Sequence, residues 1–293
     1  MFADAYQKVM EFTKPVIVST RLQDGTVKTE CGTFIILNRE GWAMTAGHLF
    51  DSLVKFQTDQ NKLKEIAALN ESRRGLPGAP PVEVKPDPTY ITNHSFWWGW
   101  DRVRMNSIFV NRQIDIAVGK LEQFNPDWVA EYPVLKDPEH LRPGTSICRM
   151  GYSFLDIKSN FDEKTKGFMI PKIDARNLVF PNEGMHTRTL NLGMTKDGKF
   201  ERLYVETSTP GLKGQSGGPI FDRDGHLYAM QVNTAHLPLG IHPTAQYDGN
   251  AVVENQFLNV GNGVHMKTIR AVLDDRGVRY DAEGDESGFR IID

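Results

Sequence analysis

Short runs of β-forming residues, separated by turns rich in glycine, proline and aspartate, account for most of this chain. The runs fall into two blocks on either side of residues 122–143, which are rich in proline and charge and indicate a connector. Two blocks of short strands predict two packed β units rather than a parallel α/β sheet. We therefore expect an all-β fold.

The expected elements can be placed by residue number. Strands are expected at 16–21, 31–38, 42–45, 113–121, 146–152, 203–207, 220–221 and 227–234. The spacing of apolar residues predicts helices at 3–13, 59–73 and 266–275. Residues 75–88 are rich in proline and predict an exposed loop, so that about residues 55–95 form an insertion within the first block.

Composition argues against several classes of function. The formal net charge is −3 and no basic block is present, which argues against nucleic acid as a partner. No apolar stretch approaches the length of a membrane span, and residues 1–10 contain no apolar run. We therefore expect no signal peptide, no membrane partner and a cytoplasmic location. Two cysteines, Cys31 and Cys148, make no disulfide framework, and two separate thiols are expected.

The segment Gly214–Pro219, with the sequence GQSGGP, carries the strongest chemical signal. A serine hydroxyl is a weak nucleophile that needs a base, and it needs donors aimed at the oxyanion that forms. A glycine two residues before Ser216 allows a turn in which the Gly214 and Ser216 amides point at one spot. Glycines after the serine leave room for a substrate chain, although Gly-rich turns also occur without any catalytic role.

A histidine and an aspartate elsewhere in the chain have the chemistry to serve such a serine. His48 ends an apolar strand where the strand meets a loop, although a single histidine there is often structural or simply exposed. Asp115 is flanked by Ile114 and Ile116 within an expected strand, so its burial requires a partner; the alternative is an aspartate that faces solvent at a strand end. Together they supply a base, an orienting acid and a nucleophile in the order His, Asp, Ser.

These motifs resemble those of the trypsin-like serine peptidases of the chymotrypsin fold, and in particular their disulfide-poor bacterial members. The matching motifs are TAGH (45–48), DIAV (115–118) and GQSGGP (214–219). Residues 30–34 resemble the strand before the histidine, and residues 263–265 with the following helix resemble the last strand and helix. The resemblance covers about residues 14–275.

The resemblance implies two packed antiparallel β-barrels with the active site in the cleft between them. Residues 1–125 would form the barrel with His48 and Asp115, residues 126–280 the barrel with Ser216 and the C-terminal helix, and residues 281–293 an acidic tail. The implied activity is that of a serine endopeptidase working through an acyl-enzyme on a protein or peptide substrate. No metal or organic cofactor is implied.

Roles for individual residues also follow from the resemblance. Ser216 would attack the scissile carbonyl, His48 would take and return the proton, and Asp115 would hold the imidazole in the correct tautomer. The amides of Gly214 and Ser216 would form the oxyanion hole. Peptide-binding walls in this family precede the serine or lie on two later strands, and the corresponding residues here are Pro210, Leu212, Thr234, Ala235, Gly263 and His265.

Three positions limit how far the resemblance extends. Gln215 stands where animal digestive members have an aspartate that pairs with a new N-terminal amine, so activation by N-terminal clipping is not expected. Leu49 stands where a cysteine would form a disulfide, which fits a reducing compartment. The position of trypsin's specificity aspartate falls near Pro210, so a small or apolar side chain before the cleaved bond is the default, while His265 at the pocket base would favour an acidic one.

Two other interpretations remain open at this stage. The G-x-S-x-G pattern also occurs in α/β-hydrolases, but that fold requires a helix after the serine, where Pro219 and a turn follow here. The other is a catalytically silent protease fold used for binding. The tryptophans at 97, 98 and 100 indicate a packed patch, and region 55–100 indicates a solvated face or the contact site of a regulatory partner. The other histidines lack metal-ligand spacing.

Overall fold

The computed structural model describes residues 1–74, 83–153, 157–172, 178–247, 250–253 and 255–284. Most of the regular structure is β, in curled sheets that form two barrel-like halves, which confirms the expected fold class. The α-helices of the described residues are α1 (Ala3–Phe12), α2 (Asp51–Arg74) and α3 (Met266–Asp275). None of these helices is both long enough and apolar enough to cross a lipid bilayer.

Six antiparallel strands form the first half. They are β1 (Thr13–Leu22), β2 (Val27–Ile36), β3 (Trp42–Ala46), β4 (Ile91–Trp98), β5 (Arg104–Asn111) and β6 (Ile116–Glu122). Their order in the sheet is β4-β1-β2-β3-β6-β5. Residues such as Val16, Phe34 and Val118 are buried along these strands, because β-branched and aromatic side chains pack well on a pleated surface.

The second half contains the remaining strands. They are β7 (Val134–Leu135), β8 (Ser146–Gly151), β9 (Asn160–Asp162), β10 (Gly167–Met169), β11 (Phe180–Met194), β12 (Glu201–Thr207), β13 (Pro219–Phe221), β14 (Leu227–Pro238), β15 (Thr244–Tyr247), β16 (Asn250–Val253), β17 (Phe257–His265) and β18 (Asp281–Ala282). The main sheet has the order β13-β8-β11-β12-β17-β14-β7-β18, and a further pairing of β13 with β14 closes six of its strands into a barrel. The pairs β9–β10 and β15–β16 are separate hairpins.

Thr33 of β2 joins the two halves at the point where they meet. Its backbone N–H donates to the carbonyl oxygen of Ser216 over 2.9 Å, and its hydroxyl donates to that of Gly214 over 2.7 Å. The backbone N–H of Tyr152, after β8, donates to the same hydroxyl over 3.2 Å. One fully buried threonine therefore ties the Ser216 loop and the end of β8 to the first half.

The structure moves several expected boundaries. Helix α2 begins at Asp51 rather than at residue 59, so the helical insertion starts directly after the His48 turn. Of the expected loop at 75–88, residues 75–82 lie outside the described residues. The first residues of the expected acidic tail pair with β7 as strand β18, and residues 285–293 lie outside the described part.

The tryptophan patch is packed, as the sequence indicated. Trp98 is buried, with its ring centroid 5.3 Å from that of Phe34. Trp100 stacks on Trp128 with ring centroids 5.0 Å apart, and the Trp97 indole donates to Asp101. These rings anchor β4 and the following turn to the first half.

Candidate active site

His48 lies on a single 3₁₀ turn, Gly47–Phe50, that follows β3. The backbone N–H of Gly47 donates to the carbonyl oxygen of Asp115 over 3.0 Å. A side chain at Gly47 would come within 3.2 Å of the Ile116 backbone, so glycine is what lets the two segments approach so closely. This contact brings the predicted base beside the predicted acid.

Asp115 sits in the turn before β6 and not within a strand, which corrects the sequence-based placement. Its φ of +56° is a left-handed conformation, which aspartate tolerates better than most residues do. One carboxylate oxygen lies 2.9 Å from His48 Nδ1, and the other accepts the His48 backbone N–H over 2.7 Å. An ionised carboxylate only accepts, so this contact assigns the proton to Nδ1 and leaves the Nε2 lone pair free.

Arg112 is a neighbour of Asp115 that sequence reasoning missed. Its Nη1 donates to Asp115 Oδ1, while Nε and Nη2 bind the two oxygens of Asp51 over 2.7 and 2.9 Å. Arg112 therefore links the turn that carries Asp115 to the first residue of α2. Its position three residues before Asp115 is the sequence signal that could have identified it.

The loop Gly214–Gly218 packs directly against the strands that lead to His48. A side chain at Gly217 would collide with the carbonyl oxygen of Thr33 and the hydroxyl of Thr45, and it would lie 2.8 Å from Ala46 N. The Gly217 N–H donates to the carbonyl oxygen of Gln231 over 2.8 Å, which holds the loop on β14. Ser216 is half-buried in this loop, beside the end of β3 that leads into His48.

Three polar groups of this loop have no hydrogen-bond partner within the residues that the structure describes. They are the Ser216 hydroxyl and the backbone N–H groups of Gly214 and Ser216. Gly214 has a φ of +98°, a conformation that favours glycine, and it is buried. Buried N–H groups are rarely left without an acceptor, so the free amide of Gly214 is suited to bind an anion.

Gln215 holds the same loop in place. Its side chain is fully buried, with Nε2 donating to the carbonyl oxygen of Phe180 over 3.0 Å and Oε1 accepting from Leu212 N over 2.9 Å. The Gln215 backbone N–H also donates to the carbonyl oxygen of Leu212 over 3.0 Å. The amide thus orders the loop through internal bonds.

Residues 32–230 match the sequence model of the trypsin-like peptidase domain, more than half of the chain. The chain belongs to this family. It is therefore a serine peptidase, and the recognition made from the three motifs is confirmed.

Two solved protease structures are similar to this peptidase. The Rv3671c protease from M. tuberculosis, in its active form, is 11% identical, with 94% of this chain and 86% of that chain covered and a TM-score of 0.49. The HtrA-type protease AlgW with a tripeptide is 12% identical, with 95% and 65% covered and a TM-score of 0.46. None of the curated proteins matches the chain.

The expected peptide-binding residues of the peptidase fall into two groups. Pro210 and Leu212 lie in the loop before Gly214, and the Thr234 hydroxyl donates to the Gly211 carbonyl oxygen over 2.6 Å, so β14 lies beside that loop. Ala235 follows on β14 and pairs with Val260. Pro210 and Leu212 thus lie on the loop that leads to Ser216, and Thr234 lies on the strand beside that loop.

Gly263 and His265 occupy other positions. A side chain at Gly263 would lie 2.5 Å from Ile220 Cδ1, so this face of Gly263 meets the barrel core. His265 caps α3, where its Nδ1 accepts the Lys267 backbone N–H over 3.1 Å. Burial lowers the pKa of His265 to about 4, so the ring is neutral near pH 7.

A groove of about 460 Å³ beside His48 was not expected from the sequence. It lies between β1, β2, β4 and the first turns of α2, and its walls include Val18, Lys28, Glu30, Leu49, Ser52 and Lys55. Helix α2 forms one wall, so the insertion shapes the space next to the predicted base.

Other groups with catalytic or metal-binding chemistry have structural explanations. Burial raises the pKa of Cys31 to about 12 and that of Cys148 to about 11, so both free thiols are protonated and weakly nucleophilic. Asp222, Asp224 and His226 have ligand atoms within 4.8 Å of one another. However, Asp222 already pairs with Lys136 over 2.9 Å and accepts two backbone N–H groups of its own turn.

Proposed function

We propose that this peptidase hydrolyses peptide bonds through an acyl-enzyme on Ser216, with His48 as the base and Asp115 as the residue that orients it. The observation that carries the proposal is the 2.9 Å contact between His48 Nδ1 and Asp115 Oδ2. With the proton on Nδ1, the lone pair of Nε2 is available to take a proton from a serine hydroxyl.

The proposed reaction has two halves. Ser216 Oγ forms a bond to the scissile carbonyl carbon while its proton moves to His48 Nε2, and the carbonyl oxygen becomes an oxyanion. The tetrahedral species then collapses, the C–N bond breaks, and the leaving amine takes the proton from His48. Water repeats the sequence and releases the acid.

The free amides of Gly214 and Ser216 suit the oxyanion in both halves. A donor of this kind stabilises the transition state by about 3 kcal/mol when it is fixed before the reaction begins. The backbone at Gly214 has a φ of +98°, which glycine adopts readily, and this conformation sets the direction of its N–H. The side-chain bonds of Gln215 hold the two donors in place.

The peptide would lie across both halves of the molecule. Strand β14 at Thr234 and Ala235 offers a backbone edge for the part before the scissile bond. His48 protonates the leaving amine in the proposed reaction, so the 460 Å³ groove that it lines suits the part after the bond. A regulatory partner that binds region 55–100 would act on this groove through α2.

The alternatives left open by the sequence are now distinguishable. Strand β13 follows the Ser216 loop, so the helix that an α/β-hydrolase requires after its serine is replaced by a strand. A silent binding module predicts that peptides bind without being cleaved. We expect purified protein to cleave peptides, and Ser216→Ala to lower kcat on the order of 10⁴-fold or more. Equal cleavage by the wild type and Ser216→Ala would contradict the proposal.

A further inference from the structure

Arg149 of β8 is a buried cation that the proposed mechanism does not use. It is 1% exposed, and it is among the largest of the fully buried side chains. Among the described residues, no carboxylate lies within ion-pair distance of it, and its Nε has no hydrogen-bond partner. A buried charge without a countercharge is costly, so its retention calls for an explanation.

The guanidinium lies inside the second barrel, at the centre of a polar cluster. Its Nη1 donates to Gln231 Oε1 over 2.7 Å, and its Nη2 donates to the Thr207 hydroxyl. The single proton of that hydroxyl can be donated to the carbonyl oxygen of Thr209 or to that of Gly261, each 3.0 Å away. Neutral partners therefore surround the cation, and they connect it to the loop that precedes Ser216.

Two glycines show that this cluster packs against β17 and against the loop before Ser216. A side chain at Gly261 would collide with Arg149 Nη1, and a side chain at Gly211 would collide with the Gln231 amide. Gly211 is three residues before Gly214, and Gln231 also accepts the Gly217 N–H through its backbone. The guanidinium thus lies directly behind the segments that flank Ser216.

We propose that Arg149 forms the base of the pocket for the residue before the scissile bond, and that the peptidase cleaves after glutamate or aspartate. The proposal rests on the proposed function, since it concerns the same site. A substrate carboxylate that enters between the Thr209–Leu212 loop and strands β14 and β17 supplies the missing countercharge. The resulting guanidinium–carboxylate pair is of the strong, charge-assisted kind.

Arg149 is better suited to this role than His265, the residue that the sequence offered. Burial lowers the pKa of Arg149 to about 10, so the guanidinium stays charged near pH 7. The His265 ring is neutral there and is already engaged as the cap of α3. The Thr209 hydroxyl is a further buried group without a partner beside the cluster, and it offers another donor to a carboxylate.

The test uses two peptidyl diphenyl phosphonates that differ only in carrying a glutamate or a glutamine side chain next to the phosphorus. We expect the wild type to react with the glutamate reagent at least about 10-fold faster, because only the glutamate side chain pairs with the guanidinium. Equal rates, or faster reaction with glutamine or with an alanine reagent, would overturn the proposal. A generic fluorophosphonate, tested in parallel, reports on the proposed function. If it labels the protein while the phosphonates show no preference for glutamate, only this inference is overturned.

Variants of Arg149 assign the preference to this side chain. We expect Arg149→Gln to bring the two rates within about 2-fold of each other, and Arg149→Lys to keep part of the preference because it keeps the charge. Arg223→Gln, at an exposed arginine in the turn after β13, controls for the loss of one positive charge and should keep the full preference. A preference that survives in folded Arg149→Gln contradicts the assignment. If Arg149→Gln does not fold, the glutamate-to-glutamine rate ratios of the wild type and of Arg149→Lys test the assignment instead.

Discussion

At the scale of single residues, the candidate site depends on positions where the chain adopts an uncommon state. Asp115 has a left-handed backbone, Gly214 supplies a positive φ, and Gln215 is a buried amide with both ends paired. The residue types and their order were readable from the sequence, because glycines and an acid among isoleucines are local signals. The role of Arg112 was not, because its contact with Asp51 depends on how the turn at 112–115 approaches the start of α2.

Replacement of Gln215 tests how the oxyanion donors are ordered. Gln215→Glu would set a carboxylate oxygen against the carbonyl oxygen of Phe180, where the amide now donates. We expect the rate of fluorophosphonate labelling to fall on the order of 10-fold or more, since the buried site loses its donor and gains an unpaired charge. Gln60→Glu is the matched control, because Gln60 is a half-buried glutamine of α2 whose Nε2 donates to the Ile91 carbonyl oxygen over 3.1 Å. An unchanged rate in Gln215→Glu would show that the loop is ordered in some other way.

Asp115→Asn tests the tautomer argument. An asparagine can present its amide N–H to His48 Nδ1, which would move the ring proton to Nε2 and remove the base. We expect kcat for peptide cleavage to fall on the order of 10³-fold to 10⁴-fold. We expect kcat of Asp51→Asn to fall by much less, because Asp51 also contacts Arg112 but does not contact His48. Similar losses in the two variants would point to charge rather than tautomer.

At the scale of elements, sequence patterns predicted helix α3 correctly but misplaced the start of helix α2. Helix α3 spans Met266–Asp275, the range that apolar spacing predicted, because one of its faces is buried in the core. Helix α2 was expected to begin at residue 59 but begins at Asp51. The side chain that α2 buries is the charged Asp59 rather than a row of apolar residues. The helix therefore has little of the apolar periodicity by which helices are recognised in a sequence.

One buried and one half-buried histidine predict a loss of stability in mild acid. Burial lowers the pKa of His94 on β4 and of His265 at the start of α3, each to about 4, against 6.5 for an ordinary histidine. The unfolded chain therefore binds more protons than the folded one between these values, and the stabilisation present above pH 6.5 is lost as pH falls towards 4. We expect the free energy of unfolding to drop on the order of 2 kcal/mol for each histidine.

Urea unfolding at pH 7 and pH 4.5 measures this effect. The double variant His94→Gln and His265→Asn keeps a polar group at each position, including an acceptor for the Lys267 N–H, but it does not titrate. Its stability should depend less steeply on pH than that of the wild type. An equal slope would show that other groups cause the acid sensitivity.

At the scale of the whole molecule, the site exists because two halves meet. The sequence predicted two β units and assigned His48 and Asp115 to one and Ser216 to the other. The structure adds the joint at Thr33, whose bonds to Ser216, Gly214 and Tyr152 cross between the halves. The charged cluster at Arg149 was also invisible in the sequence, because β8, β12, β14 and β17 come together only in the closed barrel.

Thr33→Val tests whether that joint positions the site. Valine has nearly the same shape but leaves the Gly214 carbonyl and the Tyr152 N–H without their buried partner. We expect a loss of about 1–3 kcal/mol in the free energy of unfolding and slower labelling by fluorophosphonate. Thr58→Val, on the exposed side of α2, should change neither quantity. A fully active Thr33→Val would mean that the halves dock without this contact.

The most direct test of the central claim is to locate the covalent adduct of a fluorophosphonate by peptide mass spectrometry. The account predicts a single adduct on Ser216 in the wild type, none in Ser216→Ala, and a labelling rate at least about 10³-fold lower in His48→Ala, since the hydroxyl then lacks its base. An adduct on another residue, or labelling at an undiminished rate without His48, would contradict the assignment of Ser216 as the nucleophile and His48 as its base.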